Sequence, residues 1–277
     1  MGAIACANVL SDIYAVGVTD IDALQMIVGV STQMTENERN VIVPLLIQGF
    51  KAQATIAGVV ISKVAIKENP WMTIGGVVSA VCSNKEFIIP NQAIPGDVII
   101  LTKPLGTQMA VTIRSWLTNE EKLSFLKDIQ VDCESLKSCI NSAISLMATI
   151  NKKAAILMKK YNGHACTDVT GYGLYGHASN LIQYQTQDVN FEIHTLPILY
   201  PLGVIASHPG TRFYQNVNKG LGIETSGGLF ICLPEIHAKD FIREMDELAW
   251  IIGKVTAGDK KVVIEDEPDI LHVTLKS

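Results

Sequence analysis

One stretch of the sequence places a carboxylate directly before a glycine-rich helix start. Asp168 is followed by three glycines, at positions 171, 173 and 176, and then by an apolar run that predicts a helix. Glycines at a loop-to-helix junction let backbone N–H groups approach an anion, and the helix N-terminus adds positive potential. A carboxylate beside such a junction is a hard oxygen ligand for Mg²⁺ shared with phosphates. Taken alone, however, this pattern more often marks only a glycine-rich helix start with a solvated aspartate cap.

A second stretch opens the chain with a helix of small residues, predicted over residues 1–18. Asn8 and Asp12 are four residues apart in it. That spacing puts an amide and a carboxylate on one face of the helix. The helix could therefore present two oxygen-bearing side chains to a common ligand.

Together the two stretches resemble selenophosphate synthetase (selenide, water dikinase), of the aminoimidazole ribonucleotide synthetase superfamily. Three further segments contribute to the likeness, Leu101-Thr102-Lys103-Pro104-Leu105-Gly106-Thr107-Gln108, Glu224-Thr225-Ser226-Gly227-Gly228-Leu229 and Ala249-Trp250-Ile251-Ile252-Gly253. The likeness extends from about residue 1 to the end of the chain, in order and nearly without gaps.

The resemblance implies an enzyme that uses ATP, water and selenide to make selenophosphate, AMP and phosphate. Its site lies between two domains and across a homodimer, with Mg²⁺ on the phosphates. Carried over by position, Asp12 and Asn8 are expected to bind ATP, and Asp12 and Asp168 to bind the metal. No catalytic residue is assigned. The resemblance implies ATP and selenide as partners and Mg²⁺ as cofactor.

The resemblance also predicts losses. In the family, a glycine-rich segment with the cysteine or selenocysteine nucleophile, a lysine and two carboxylates precedes the opening helix, and it has no counterpart in this sequence. A Gly-Gly-Gln-Thr nucleotide loop aligns with Lys63–Ile66, and a usual arginine is Ala3. Losing one preorganised donor typically costs about 10²–10³ in rate. We therefore expect little activity from this chain alone. Two explanations stay open: an incomplete synthetase, or a degenerate paralogue that acts as a structural or regulatory partner in a dimer.

Composition agrees with a cytoplasmic α/β enzyme. Of the 277 residues, 48% are hydrophobic and only 18% are charged, so much apolar surface must be buried internally or in an oligomer. A net charge of −5 argues against a nucleic-acid surface. No run approaches eighteen apolar residues, which argues against a membrane span. Six cysteines without a C-x-x-C pair are typical of reduced core thiols.

Turn residues at Asn91–Gly96 predict a domain boundary, which gives domains at 1–92 and 93–277. We expect a two-domain synthetase-like fold with a residual N-terminal α+β domain and a C-terminal α/β layered domain. The second domain should have a mixed sheet that includes strands at 97–101, 262–265 and 271–275, with the helices of 131–161 on its solvent side. A tight turn at 224–228 should lead into another strand. The first should contain the strands Ala23–Val30, Val59–Ile66 and Trp71–Val81, whose apolar edges and faces predict a dimer or aggregation.

Several other residues have structural interpretations that outweigh functional ones. Cys166 is expected to be packed core, and His164 and His177 to be structural. Trp71 and Trp250 should anchor the core at domain or subunit contacts. Thr35-Glu36-Asn37-Glu38 predicts a capping box for a helix ending near Gly58, with Val41, Leu45, Ile47 and Phe50 as its main apolar positions.

Overall fold

The structure, a computed structural model, describes residues 1–275 and contains two β-sheets. The first sheet has three strands in the order β2-β1-β3, with β1 parallel to β2 and antiparallel to β3. Its elements are α1 (Gly2–Ala15), β1 (Ala23–Ser31), α2 (Glu36–Ala57), β2 (Ile61–Asn69) and β3 (Thr73–Ser79). Buried and outward-facing residues alternate in the first half of β1, as in a half-buried strand. The buried residues pack against α1 and α2.

The start and end of α2 follow local sequence signals. The Thr35 hydroxyl accepts from the Glu38 N–H at 3.3 Å, and the Glu38 carboxylate accepts from the Thr35 N–H at 2.8 Å. Gly58 ends the helix in the left-handed conformation, with φ of 74°. The predicted capping box and helix end are confirmed.

The predicted apolar face of α2 was partly wrong. Val41 and Leu45 are each 60% exposed, whereas Val43 and Phe50 are buried against the first sheet. Apolar residues surround the early turns of this helix, so the sequence pattern does not define one face. Contact with the sheet selects the face instead.

The second sheet has six strands in the order β5-β7-β4-β8-β6-β9. All its neighbours are antiparallel except β6 and β9, so the predicted mixed sheet is confirmed. The strands are β4 (Asp97–Leu101), β5 (Ala165–Asp168), β6 (Val189–Leu199), β7 (Leu229–Pro234), β8 (Trp250–Ala257) and β9 (Val262–Val273). Two strands predicted at 262–265 and 271–275 are a single strand, whose pairing with β6 shifts register between Ile193 and Thr195.

Helices and one 3₁₀ turn, Arg114–Thr118, accompany the second sheet. The helices are α3 (Thr107–Ile113), α4 (Glu120–Asp128), α5 (Cys133–Ala148), α6 (Lys152–Lys160), α7 (Gly173–Gln183), α8 (Leu202–Ser207), α9 (Tyr214–Val217) and α10 (Glu235–Glu244). The predicted 131–161 stretch forms the two helices α5 and α6. Each presents an apolar stripe to the interior and a polar face outward, as an amphipathic helix does.

Helix α1 lies between the two sheets. It packs against α2 and β3 on one side and against α5, α6 and β5 on the other. The division at residues 92 and 93 stays a prediction, but α1 clearly contacts elements on both sides of it. Among residues 1–275, no helix is both long and apolar enough to span a membrane.

The two tryptophans predicted as core anchors differ. Trp250 is half-buried and packs against the core of the second sheet. Trp71 is 68% exposed, so it does not anchor a core within this chain, and its place at a subunit contact stays a prediction. It lies in the short connection between β2, which ends at Asn69, and β3, which begins at Thr73.

Candidate functional site

Asp168 ends the edge strand β5, which pairs with β7 in the second sheet. Its side chain is nearly buried. The loop that follows docks on the segment 220–228: Val169 donates its N–H to the Gly228 carbonyl at 2.9 Å, and Glu224 donates to the Thr170 carbonyl at 3.1 Å. Strand pairing and loop docking together fix the position of the carboxylate.

The helix start after this loop uses several of its own donors. Gly173 donates to the Thr170 carbonyl at 3.0 Å, and Tyr175 donates to the Gly220 carbonyl at 2.9 Å. Gly173 has φ of 67°, and a Cβ there would lie 2.8 Å from the carbonyl oxygens of Gly220 and Gly222. This glycine is thus required for loop packing. Fewer backbone N–H groups are therefore available to an anion than the sequence predicted, because those of Gly173 and Tyr175 already donate to carbonyls of the protein.

His177 secures the same loop. Its Nε2 accepts from the Tyr172 N–H at 3.4 Å and lies 3.1 Å from the Thr170 hydroxyl. Burial lowers the pKa of His177, and the Asp168 charge opposes that shift. The expected structural role of this histidine is confirmed.

Asp12 and Asp168 come together although 156 positions separate them in the sequence. Helix α1, which carries Asp12, contacts β5, which ends at Asp168. Partial burial raises the pKa of Asp12, and the Asp168 carboxylate raises it further. Asn8 lies one turn earlier on α1 and is exposed. The structure thus places two carboxylates within electrostatic reach of each other, with an amide on the same helix face.

Lys103 is a third charged residue beside Asp168, and sequence reasoning missed it. Its Nζ donates to the carbonyls of Thr149 at 2.6 Å and Ser226 at 2.8 Å. Burial lowers the pKa of Lys103 to about 7, and the Asp168 charge opposes that effect. The sequence signal was a single lysine two residues after the apolar run 98–101, where a charge would have to be buried.

Glu224 is a buried carboxylate in the neighbouring loop. It accepts from the N–H groups of Gly106 at 2.7 Å and Thr107 at 2.9 Å, and from the Thr107 hydroxyl. Burial raises the pKa of Glu224 to about 7, against the effect of these donors. The carboxylate therefore caps α3 from a distant loop, and the predicted tight turn at 224–228 feeding β7 is confirmed.

The sequence matches known families over most of its length. The family described as AIR synthase related protein, C-terminal domain, matches residues 95–266. Selenide, water dikinase 3 of Danio rerio is 43% identical, over 99% of this chain and 64% of its own length. Selenide, water dikinase of Dictyostelium discoideum is 44% identical, over 92% of this chain and 70% of its own length.

This chain belongs to the selenide, water dikinase family. The predicted family is thereby confirmed. The chain spans 64% of the Danio rerio relative and 61% of selenide, water dikinase 2 of Mus musculus, which is 43% identical to it.

Solved structures confirm the predicted fold. Thiamine monophosphate kinase from Aquifex aeolicus superposes with a TM-score of 0.70 at 17% identity, covering 96% of this chain and 80% of that chain. Hydrogenase maturation protein HypE in complex with ATP superposes with a TM-score of 0.63 at 17% identity, covering 95% and 75%. At these identities the likeness concerns the fold alone.

Residues Lys63–Ile66 lie within β2 of the family fold and pair with Gln25–Val28 of β1. They form regular strand, and Lys63 is exposed. The segment that aligns with the family's nucleotide loop is therefore part of an outer strand of the first sheet in this chain.

The acidic residues fit a metal shared with a nucleotide. Within residues 1–275, no three His, Cys, Asp or Glu side chains gather into a metal-binding group. Mg²⁺ commonly takes only one or two carboxylates and completes its octahedron with phosphate oxygens and water. Asp12 and Asp168 match that donor set, because their mutual repulsion would be relieved by a divalent cation between them.

The remaining candidates have structural roles. Cys166 is buried, and burial raises its pKa well above the ordinary value, as expected of a packed thiol. His164 places its Nδ1 2.9 Å from the buried carboxylate of Asp97. Both structural interpretations are confirmed.

Proposed function

We propose that this chain serves ATP-dependent phosphoryl transfer to selenide, the reaction in the name of its relatives. The supporting observation is that α1 contacts β5, although they belong to different parts of the chain, and that the Asp168 charge raises the pKa of Asp12. Phosphoryl transfer requires mainly positioning and charge neutralisation, and paired carboxylates on a divalent cation supply both.

In this proposal Asp12 and Asp168 hold Mg²⁺, which when bound neutralises charge on the ATP phosphates. Asn8 is exposed on the same face of α1 and contacts the nucleotide. Lys103 stays behind Asp168, where its ammonium is held by two backbone carbonyls and compensates the carboxylate charge.

We further propose that the first sheet assembles with a second sheet in a homodimer or in a heterodimer with an intact relative. Its outer face exposes Ile27 and Val77, at 43% and 53%, beside Ala65 and Gly75. Both outer strands of this sheet have an unpaired edge within residues 1–275. Such a face and such edges are normally covered in a stable protein. We place the reaction in the cytoplasm.

Release of AMP from Mg²⁺–ATP in the presence of selenide tests the proposed activity. We expect selenide-dependent AMP that is lost in Asp168→Ala, because removal of one carboxylate leaves the metal largely hydrated. Asp188→Ala, an exposed aspartate in the loop before β6, is the matched control and should keep the wild-type rate. Binding of Mg²⁺–ATP without AMP release would instead support the non-catalytic dimer partner.

A further inference from the structure

The turn between α5 and α6 lies against both α1 and the 224–228 loop. Asn151 in this turn is only 3% exposed. Its Nδ2 donates to the Ser11 hydroxyl at 3.1 Å and to the Gly227 carbonyl at 2.9 Å. Both protons of the buried amide are therefore used, one toward each of two separate parts of the chain.

These two bonds end beside the two carboxylates. Ser11 directly precedes Asp12 on α1. Gly227 directly precedes Gly228, whose carbonyl accepts from the N–H of the residue after Asp168 at 2.9 Å. A continuous path of covalent bonds and hydrogen bonds thus joins the two acidic residues, in the order Asp12, Ser11, Asn151, Gly227, Gly228, Val169, Asp168.

Lys103 also holds the same turn in place, through two hydrogen bonds. Lys103 donates from Nζ to the Thr149 carbonyl at 2.6 Å and to the Ser226 carbonyl at 2.8 Å. It ties the turn to the loop but does not contact α1 through a hydrogen bond. Asn151 is therefore the side chain that extends this brace to the helix bearing Asp12.

Helix α1 otherwise rests on apolar contacts. Its buried residues include Cys6, Leu10 and Tyr14, and the Tyr14 hydroxyl has no hydrogen-bond partner among residues 1–275. Apolar packing is non-directional, so it does not by itself fix the rotation of a helix about its axis. Metal-binding side chains need placement to within about 0.5 Å, and a directional bond next to Asp12 provides it.

We propose that Asn151 is a positioning residue that sets the separation of Asp12 and Asp168 and thereby the affinity for the metal. The inference rests on the proposed function only in that the two carboxylates share one cation. A purely structural asparagine would affect stability, whereas a positioning asparagine affects metal binding in a protein that remains folded.

Binding of Mn²⁺ with a non-hydrolysable ATP analogue, measured by calorimetry, tests this role. Ser11→Ala removes only the bond to α1 and places a good helix former in the helix, so it should fold. Asn151→Asp keeps the size but sets a carboxylate against the Gly227 carbonyl. We expect each variant to raise the Mn²⁺ Kd about 10–100-fold, the usual effect of losing a residue that orients a metal ligand. Asn180→Asp, at an exposed position of α7, is the control and should bind as the wild type does.

Hydrogen exchange provides a readout that does not require metal. Loss of the Ser11–Asn151 bond should raise amide exchange in α1 about tenfold while β4 and β7 stay protected. Folded Ser11→Ala and Asn151→Asp proteins with wild-type Mn²⁺ affinity and wild-type exchange in α1 would overturn the inference. A wild-type protein that binds no Mn²⁺ with the analogue, while α1 exchange still rises in Ser11→Ala, would contradict the proposed function and leave only the structural link.

Discussion

The two sheets of this protein both mix parallel and antiparallel strands, but they are covered differently. In the second sheet, β4 is buried along its whole length and β7 along nearly all of it, with helices on both faces. In the first sheet, β1 alternates between buried and exposed residues over its first half, and β2 and β3 contain only half-buried and exposed residues. The second sheet completes its own core, whereas the first depends on whatever covers its outer face.

The candidate site lies where these two regions meet. Asp168 comes from the self-contained sheet, and Asp12 comes from the helix that covers the inner face of the other. The proposed metal position therefore combines a carboxylate from the self-contained sheet with one from a helix whose sheet is only partly covered.

The comparison predicts a large difference between core substitutions in the two sheets. Phe230 in β7 is fully buried, with its ring centroid 5.4 Å from that of Phe191. Phe230→Ala should lower the free energy of unfolding by about 3–5 kcal/mol, because the cavity adds to the lost transfer free energy. Val77→Ala on the exposed face should change it by no more than about 0.5 kcal/mol in the monomer. Urea denaturation measures both, and equal losses would break the comparison.

A buried charge in the self-contained region predicts a pH effect. Burial raises the pKa of Glu224 from its ordinary 4.5 to about 7, so the folded state holds the proton more tightly than the unfolded state does. Its contribution to stability is fully present below pH 4.5 and is lost as the pH rises to about 7.

Glu224→Gln isolates that contribution. Relative to the variant, the wild type should lose about 3 kcal/mol of unfolding free energy across this range, at 1.36 kcal/mol per pKa unit. Thermal or urea unfolding at several pH values supplies the two curves. Parallel curves for the wild type and the variant would show that the three donors around the carboxylate outweigh its burial.

The exposed sheet face can be tested by charge. Ile27→Lys places an ammonium at the centre of the outer face of the first sheet. If that face is covered by a second copy, the substitution should weaken self-association at least tenfold, about 1.4 kcal/mol, because a buried unpaired charge is costly. Sedimentation across a concentration series measures it. A wild-type protein that stays monomeric and well behaved at micromolar concentration would count against the assembly.

A smaller effect is expected at the start of α2. Thr35→Ala removes the hydroxyl that caps the Glu38 N–H. The loss should be about 1 kcal/mol of unfolding free energy, typical of an N-cap. Thr55→Ala, near the end of the same helix, is the matched control, since its hydroxyl bonds only a carbonyl within the helix. A loss at Thr35 no larger than at Thr55 would argue against the cap.

Sequence reasoning succeeded where local signals decide the structure. The Thr35 capping box, Gly58 at the helix end and the apolar strand β4 all follow from nearby residues. It did less well where tertiary contact decides. The buried face of α2 and the continuity of β9 depend on packing against other elements, which short windows do not contain.

The site divides in the same way. Resemblance pointed to Asp12 and Asp168; the helix and strand that carry them are in contact, and a shared metal stays a prediction. Lys103 and Asn151 were missed, because their importance lies in bonds to backbone carbonyls and a hydroxyl far away in sequence. No periodic pattern in the sequence marks a buried lysine or asparagine of this kind.

A double-mutant cycle on Asp12 and Asp168 tests the central claim most directly. Asp12→Asn, Asp168→Asn and the combined variant are compared for binding of Mn²⁺ with a non-hydrolysable ATP analogue. If both carboxylates hold one cation, the second substitution should cost little once the first is made, with a coupling of about 0.5–3 kcal/mol. Strictly additive losses, or wild-type affinity in either single variant, would contradict a shared metal at this position.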